Sequence, residues 1–315
     1  MARAVRRPAK GAGLLLPVAA AALLAAAAAA GGAALSSCAS APQPALAEQW
    51  YELGNSWLDK GDWKRAGEAY SHALELNPSF AAASFNMARA LAEAGDYDAA
   101  LRSLDKLLAA DPKNVRLLSA RAYVLFKKGD AAEALRAYGA VIALDPYSPD
   151  AVYNSALLRF AAGQGEQAVQ DLDRLLAYKP DDSQSLLLLG RIEESLGKPE
   201  AAIDAYEKAR VLGKADGAAL ERLGLLYEGQ RRFADAMSTL DAATKADASR
   251  AGAWFALARL RLVVAEDGDG GLDALTHALG AGFSDKDAAA KLMAEPVVAD
   301  REKVADLLRS KGLLP

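Results

Sequence analysis

The side chains most capable of covalent or metal chemistry in this 315-residue chain are few: one cysteine, Cys38, and two histidines, His72 and His277. His72 and His277 lie far apart, and neither has a Ser or Cys partner at a spacing that would assemble a nucleophile and its base. A single cysteine excludes an intrachain disulfide, and with two histidines it cannot complete a Cys/His zinc cluster. The acidic run Glu266-Asp267-Gly268-Asp269-Gly270-Gly271 has the composition of a calcium loop. Its spacing fails and no Glu closes it, so it reads as a loop. The glycines follow neither the Walker nor the Rossmann pattern, and the many Asp and Glu residues read as solvated helix faces. Catalytic residues, metal and cofactor are all expected to be none. A net charge of −4, with a pI near 5.4, argues against nucleic acid as a partner.

Cys38 gains meaning from what precedes it. Residues 1–10 carry Arg3, Arg6, Arg7 and Lys10 without an acidic residue, and Gly11 to Leu35 is uncharged and rich in Ala and Leu. This is the basic and apolar succession of a secretory signal. The stretch is also long enough for a membrane span, although Pro17, Gly31 and Gly32 interrupt it. Leu35-Ser36-Ser37-Cys38 resembles the lipobox of bacterial lipoproteins, in which a small residue precedes the lipidated cysteine. That resemblance implies a signal peptide over 1–37 and lipidation at Cys38. Cleavage there would remove 37 residues and four positive charges, taking the net charge from −4 to −8. Two acyl chains on the cysteine would anchor the protein to a membrane stably. Ala39, rather than Asp, follows the cysteine, which by the same resemblance favours the outer membrane, facing the periplasm. Residues 38–46 read as the lipidated cysteine and a Pro-rich tether.

The rest of the chain is periodic. Pro78, Pro112, Pro146 and Pro180 recur every 34 residues, as do Gly54, Ala88, Ala122, Ala156, Gly190, Gly224 and Ala258. Ala66, Ala100, Ala134, Ala168, Ala202 and Ala236 keep the same step. Within each period, apolar residues at helical spacing, a turn such as Lys60-Gly61-Asp62, and a second apolar helical run predict two antiparallel helices. The small residues let the helices approach closely, and proline ends the second helix. One such pair cannot bury its apolar face alone, so the pairs must stack into a solenoid.

Trp50, Leu53, Gly54, Trp57, Ala66, Tyr70, Ala73 and Pro78 of the first period resemble the tetratricopeptide repeat (TPR). The resemblance implies an all-α, right-handed TPR superhelix. Seven units are expected over 47–284, beginning at Ala47, Ala81, Val115, Pro149, Ser183, Gly217 and Ala251. Lys214 and Ala248 stand where proline is expected in units five and six, and the seventh unit carries one extra residue. Residues 285–315 hold two amphipathic runs around Pro296 and read as C-terminal capping helices.

In TPR proteins the first helix of each pair lines a concave groove, and repeat positions 2, 5, 9 and 12 face it. Transferred to this chain, those positions imply an aromatic stripe of Tyr51, Phe85, Tyr123, Phe126, Tyr153 and Phe160. Asn55, Arg89, Arg116 and Arg191 are interleaved with the rings. Aromatics beside Arg are the types enriched at binding hot spots, although any one ring could equally fill a gap between helices. Asn55 and Asn86 match two positions of the carboxylate clamp of chaperone-binding TPR domains, and Arg116 replaces a lysine of it. Tyr51 and Ala120 occupy the other two positions, where the clamp has cations, so it is incomplete. Asn86 and Asn154 could instead bond the backbone of an extended peptide.

These readings converge on a membrane-anchored, non-enzymatic scaffold whose groove binds a protein or peptide of the bacterial cell envelope. The alternative resemblance is to TPR lipoproteins that accompany TRAP-type solute transport and handle a small hydrophobic ligand.

Overall fold

A computed structural model describes residues 43–315, and Cys38 with the signal region lies outside these residues. The described residues form sixteen α-helices and no strand. In chain order the first eight are α1 (Gln43–Asp59), α2 (Trp63–Leu76), α3 (Ala81–Glu93), α4 (Tyr97–Ala110), α5 (Val115–Lys128), α6 (Ala131–Leu144), α7 (Pro149–Ala161) and α8 (Gly165–Tyr178). Then come α9 (Ser183–Ser195), α10 (Pro199–Val211), α11 (Gly217–Gly229), α12 (Phe233–Ala246), α13 (Ala251–Val263), α14 (Gly268–Gly280), α15 (Lys286–Ala294) and α16 (Arg301–Ser310). None of these helices is long and apolar enough to cross a membrane.

From α3 onward, the first helices begin at the residues that the 34-step period predicts. The first unit differs, because α1 starts at Gln43 and takes residues 43–46 of the expected tether into its first turn. Pro44 permits this, since a proline in the first helical turn lacks only an amide that has no partner there anyway.

Local chemistry explains the turns within the units. Gly61, Gly95, Gly129, Gly163 and Gly197 all take positive φ. In the sixth and seventh units Arg231 (φ 60) and Glu266 (φ 53) carry the same left-handed conformation at a cost that glycine avoids. Asp62 and Asp96 cap the following helices by accepting from Arg65 and Ala99 amides, each at 3.1 Å.

The turns lacking proline are built in two ways. After α10, Gly213 goes left-handed, and the Lys214 amide donates to the Ala209 carbonyl at 3.0 Å, which ends the helix early. After α12, Asp247 accepts from the Ser249 amide at 3.0 Å and its hydroxyl at 2.6 Å, the same Asx turn that Asn77 and Ser79 make around Pro78, so the turn forms here without its proline.

The acidic glycine-rich run is not all loop. Asp267 accepts from the Gly270 amide at 2.9 Å and starts α14 at Gly268. A side chain at Gly271 would sit 2.4 Å from Leu262, so these glycines serve close packing.

Packing repeats along the array. Gly54 lies against the Tyr70 ring and Gly190 against Tyr206, where an added Cβ would come within 2.4 and 2.7 Å of ring carbons. Gly139 is the opposite case, exposed in α6 with nothing near its missing Cβ. Gly139→Ala is expected to add about 0.5–1 kcal/mol through helix propensity, read as a higher urea midpoint at unchanged slope.

Each helix packs on its neighbours in sequence, and first helices also touch the next first helix at α1–α3, α3–α5, α7–α9 and α11–α13. Among the described residues no two second helices of successive repeats approach as closely. The first helices therefore form the inner layer of a curved stack. At the far end α15 and α16 bury Leu292, Val304 and Leu308 against the core of α13 and α14.

Candidate binding groove

Four of the stripe residues and Asn154 meet at one recess. Phe85 and Arg89 of α3, Arg116 and Tyr123 of α5, and Asn154 of α7 line a cavity of about 530 Å³ on the inner layer. Its floor is the buried Ala88, Ala92, Leu104, Val124 and Tyr138. The Arg116 guanidinium sits 4.1 Å from the Phe85 ring centroid, a cation–π stack that fixes both side chains. Tyr123 is 38% exposed and lies 6.5 Å from Phe126, with the Lys127 ammonium 6.0 Å from its centroid. Arg89, Arg116 and Arg191 have no carboxylate partner among the described residues, whereas Arg121, Arg159, Arg222 and Arg250 each do. Unpaired guanidinium groups beside half-buried rings are disposed to take carboxylates or carbonyl oxygens from outside.

The remaining stripe residues are placed otherwise. Tyr51, Asn55 and Asn86 are tied into an internal network. The Tyr70 hydroxyl donates to Asn55 Oδ1 at 2.8 Å, and Asn86 Nδ2 donates to the same oxygen at 2.9 Å and to the Tyr51 hydroxyl at 3.3 Å. Burial pushes the Tyr70 phenol up to about 12. With Asn86 only 9% exposed, the two clamp-like asparagines hold α1 to α3. Tyr51 itself packs on Phe80, with ring centroids 4.9 Å apart. Tyr153 and Arg191 line a second recess of about 500 Å³ with Arg222 and Arg250. There Glu194 pairs with Arg222 at 2.8 Å, and Glu221 pairs with Arg250 at 2.6 Å. Phe126 and Phe160 are half-buried and pack on the cores beneath α5 and α7. Asn154 Nδ2 donates to the Asp150 carbonyl of its own helix at 2.9 Å.

Ser119 and Asp150 also line the first recess, although they were passed over in the stripe. They stand at repeat positions 5 and 2, so counting reaches them. Selection by residue type missed them. Glu93 adds a carboxylate to the same rim and pairs with Lys127 at 3.9 Å.

His72 and His277 occupy matching places in the first and last units. His72 lies 4.6 Å from Trp50, and His277 stacks 4.5 Å from Trp254, so each imidazole covers an indole. Among the described residues no three His, Cys, Asp or Glu side chains are placed to hold a metal ion.

Comparison with known proteins agrees with this architecture. The family model for the TPR domain of cytochrome c-type biogenesis protein H matches residues 41–151. Two general tetratricopeptide repeat models match 125–192 and 183–209. The chain is a tetratricopeptide repeat protein. No curated protein matches it by sequence. Among solved structures, a TPR protein from Parabacteroides merdae is 19% identical with a TM-score of 0.54, covering 85% of this chain and 99% of its own. PilF of Pseudomonas aeruginosa is 19% identical with a TM-score of 0.55, covering 64% of this chain and 92% of its own. YrrB, described as a TPR protein with an unusual peptide-binding site, is 18% identical with a TM-score of 0.51, covering 57% and 92%. At these identities the likeness is one of fold. For this TPR protein it bears on the stacking of helix pairs, and the side chains of the recess are its own.

Proposed function

We propose that this TPR protein is a lipid-anchored, non-enzymatic docking scaffold of the bacterial cell envelope, and that the face formed by α3, α5 and α7 grips an extended segment of a protein partner. The observation that carries the reading is the recess in which Phe85 stacked under Arg116, Tyr123 and the unpaired Arg89 converge on the inner layer. Flat rings take the faces of a peptide's side chains, and the guanidinium groups take its carbonyl or carboxylate oxygens. Peptide binding is what YrrB's description states of that protein, and PilW, with a TM-score of 0.53, is described as a type IV pilus biogenesis factor. Lipid on Cys38 would hold this recess near a membrane, with the outer membrane and a periplasmic orientation favoured by Ala39.

A photo-crosslinking residue at Tyr123 in the native host tests the docking role, with Arg136 on α6 as the control. Arg136 has a side chain 72% exposed and lies outside the recess. A discrete protein adduct from Tyr123 and none from Arg136 is the expected result. Self-adducts alone would sink the scaffold reading and move the small-ligand transport role ahead. Cys38→Ser should independently abolish incorporation of labelled palmitate and leave the precursor uncleaved, and unchanged labelling would remove the lipid anchor from the proposal.

A further inference from the structure

The chain contains two versions of one hydrogen-bond motif, and one of them is incomplete. In the first unit Tyr70, Asn55 and Asn86 satisfy one another. Sixty-eight residues further on, the same positions hold Tyr138, Tyr123 and Asn154. Tyr123 cannot offer the carbonyl oxygen that Asn55 supplies, and Asn154 is turned to the Asp150 carbonyl. The Tyr138 hydroxyl is left buried with no hydrogen-bond partner among the described residues, in a side chain only 1% exposed. Next in the series, Tyr206 again finds an acceptor, donating to Glu194 at 3.4 Å. The defect is therefore confined to the unit that builds the recess, and Tyr138, Tyr123 and Asn154 all line it.

An unmade hydrogen bond at a buried hydroxyl is destabilising, because the group has lost its water without gaining a partner. Burial pushes the Tyr138 phenol up, so the group stays protonated and able to donate. Tyr123 and Asp150 act on it electrostatically in the same direction. The hydroxyl itself is covered, so a partner from outside the chain would reach it only as the side chains above it shift, and would then remove this cost, which favours a group that accepts a hydrogen bond.

We infer that Tyr138 is the buried anchor of the groove, its hydroxyl donating to a backbone carbonyl of an extended peptide that lies over Phe85 and Tyr123. The inference rests on the docking role proposed above and adds what the groove recognises: main-chain amide at this one position. Asn154 completes the contact by exchanging its bond to the Asp150 carbonyl for one to the same peptide unit. Asn154 thus binds the ligand only when the recess is filled, and Tyr138 sets where along the peptide the contact falls.

The test uses peptides selected from a random display library against the detergent-solubilised full chain, then synthesised and titrated. The double variant Arg89→Glu/Arg116→Glu identifies groove binders, because their affinity must fall in it. Tyr138→Phe is expected to fold with a melting temperature equal to or above the parent's, since it deletes an unsatisfied hydroxyl. The same substitution should weaken a groove peptide about fivefold to tenfold, the size of one net hydrogen bond. An amide-to-ester scan of the peptide supplies the second readout. One ester, a poorer acceptor, should weaken binding to the parent and have no further effect on Tyr138→Phe, the coupling expected of a direct pair. Groove peptides that bind Tyr138→Phe as tightly as the parent would overturn the inference, with water as the partner of the hydroxyl, and would leave the docking role standing. If no selected peptide depends on Arg89 and Arg116, the docking role itself fails.

Discussion

Ending the chain after Ser284 should melt the last repeat. The deletion removes Leu292, Val304 and Leu308, all fully buried, from a cluster shared with Leu262, Leu275 and Leu279. At about 1.5–3 kcal/mol for each fully buried side chain, the loss is roughly 5–9 kcal/mol as an upper estimate. That equals much of the stability of an ordinary domain, about 5–15 kcal/mol. The Ala299 amide, which donates to the Leu262 carbonyl at 2.9 Å, goes as well. A solenoid transmits such damage mainly to its nearest neighbours. Trypsin should therefore cut at Arg259 and Arg261, inside α13, while the first repeats stay protected. Protection of α13 equal to that of the full chain would show that α15 and α16 are dispensable for the last repeat.

Gly190→Leu is the substitution expected to cost most within the repeats. The new Cβ alone would stand 2.7–2.8 Å from three carbons of the Tyr206 ring, and that ring is 1% exposed with no space to retreat into. Overpacking typically costs about 1–3 kcal/mol, and a full leucine side chain here should reach or exceed the upper value. The expected reading is a clear drop in urea midpoint, partly restored when Tyr206→Leu is added. The chain already uses a smaller ring-free pairing at equivalent positions, Ala88 with Leu104 and Ala156 with Leu172. An unfolding free energy within about 0.3 kcal/mol of the parent, the level at which independent effects are resolved, would show that the helices can separate at no cost.

Much of the molecule follows from residue types repeated at a fixed step. Six first helices begin where the 34-residue period places them, because the same small residues, turn glycines and prolines recur and each acts locally. The C-terminal helices on either side of Pro296 lie outside the period and follow from two amphipathic runs. What the repeat rule could not supply were its exceptions. The turn at Asp247 keeps its Asx bonds without the proline, while the glycine stop at Gly213 and the left-handed Arg231 replace an expected residue by different chemistry with the same outcome.

The groove was legible only in part. The TPR resemblance assigns Phe85, Arg89, Arg116 and Tyr123 to the inner face, and they do line one recess. It assigns Tyr51 and Asn55 to that face with equal force, yet both are held by Tyr70 and Asn86. Nothing in a single residue's spacing distinguishes these cases, because each depends on which side chain a different helix brings within 3 Å or so of it. Tyr138 belongs to a second helix, where counting along first helices never looks. The amino-acid order determined the helices and their pairing, since these are properties of short segments repeated. Only the stacked structure decided which polar groups are satisfied within the chain and which are left for a partner, because satisfaction is a relation between residues 15 to 35 positions apart.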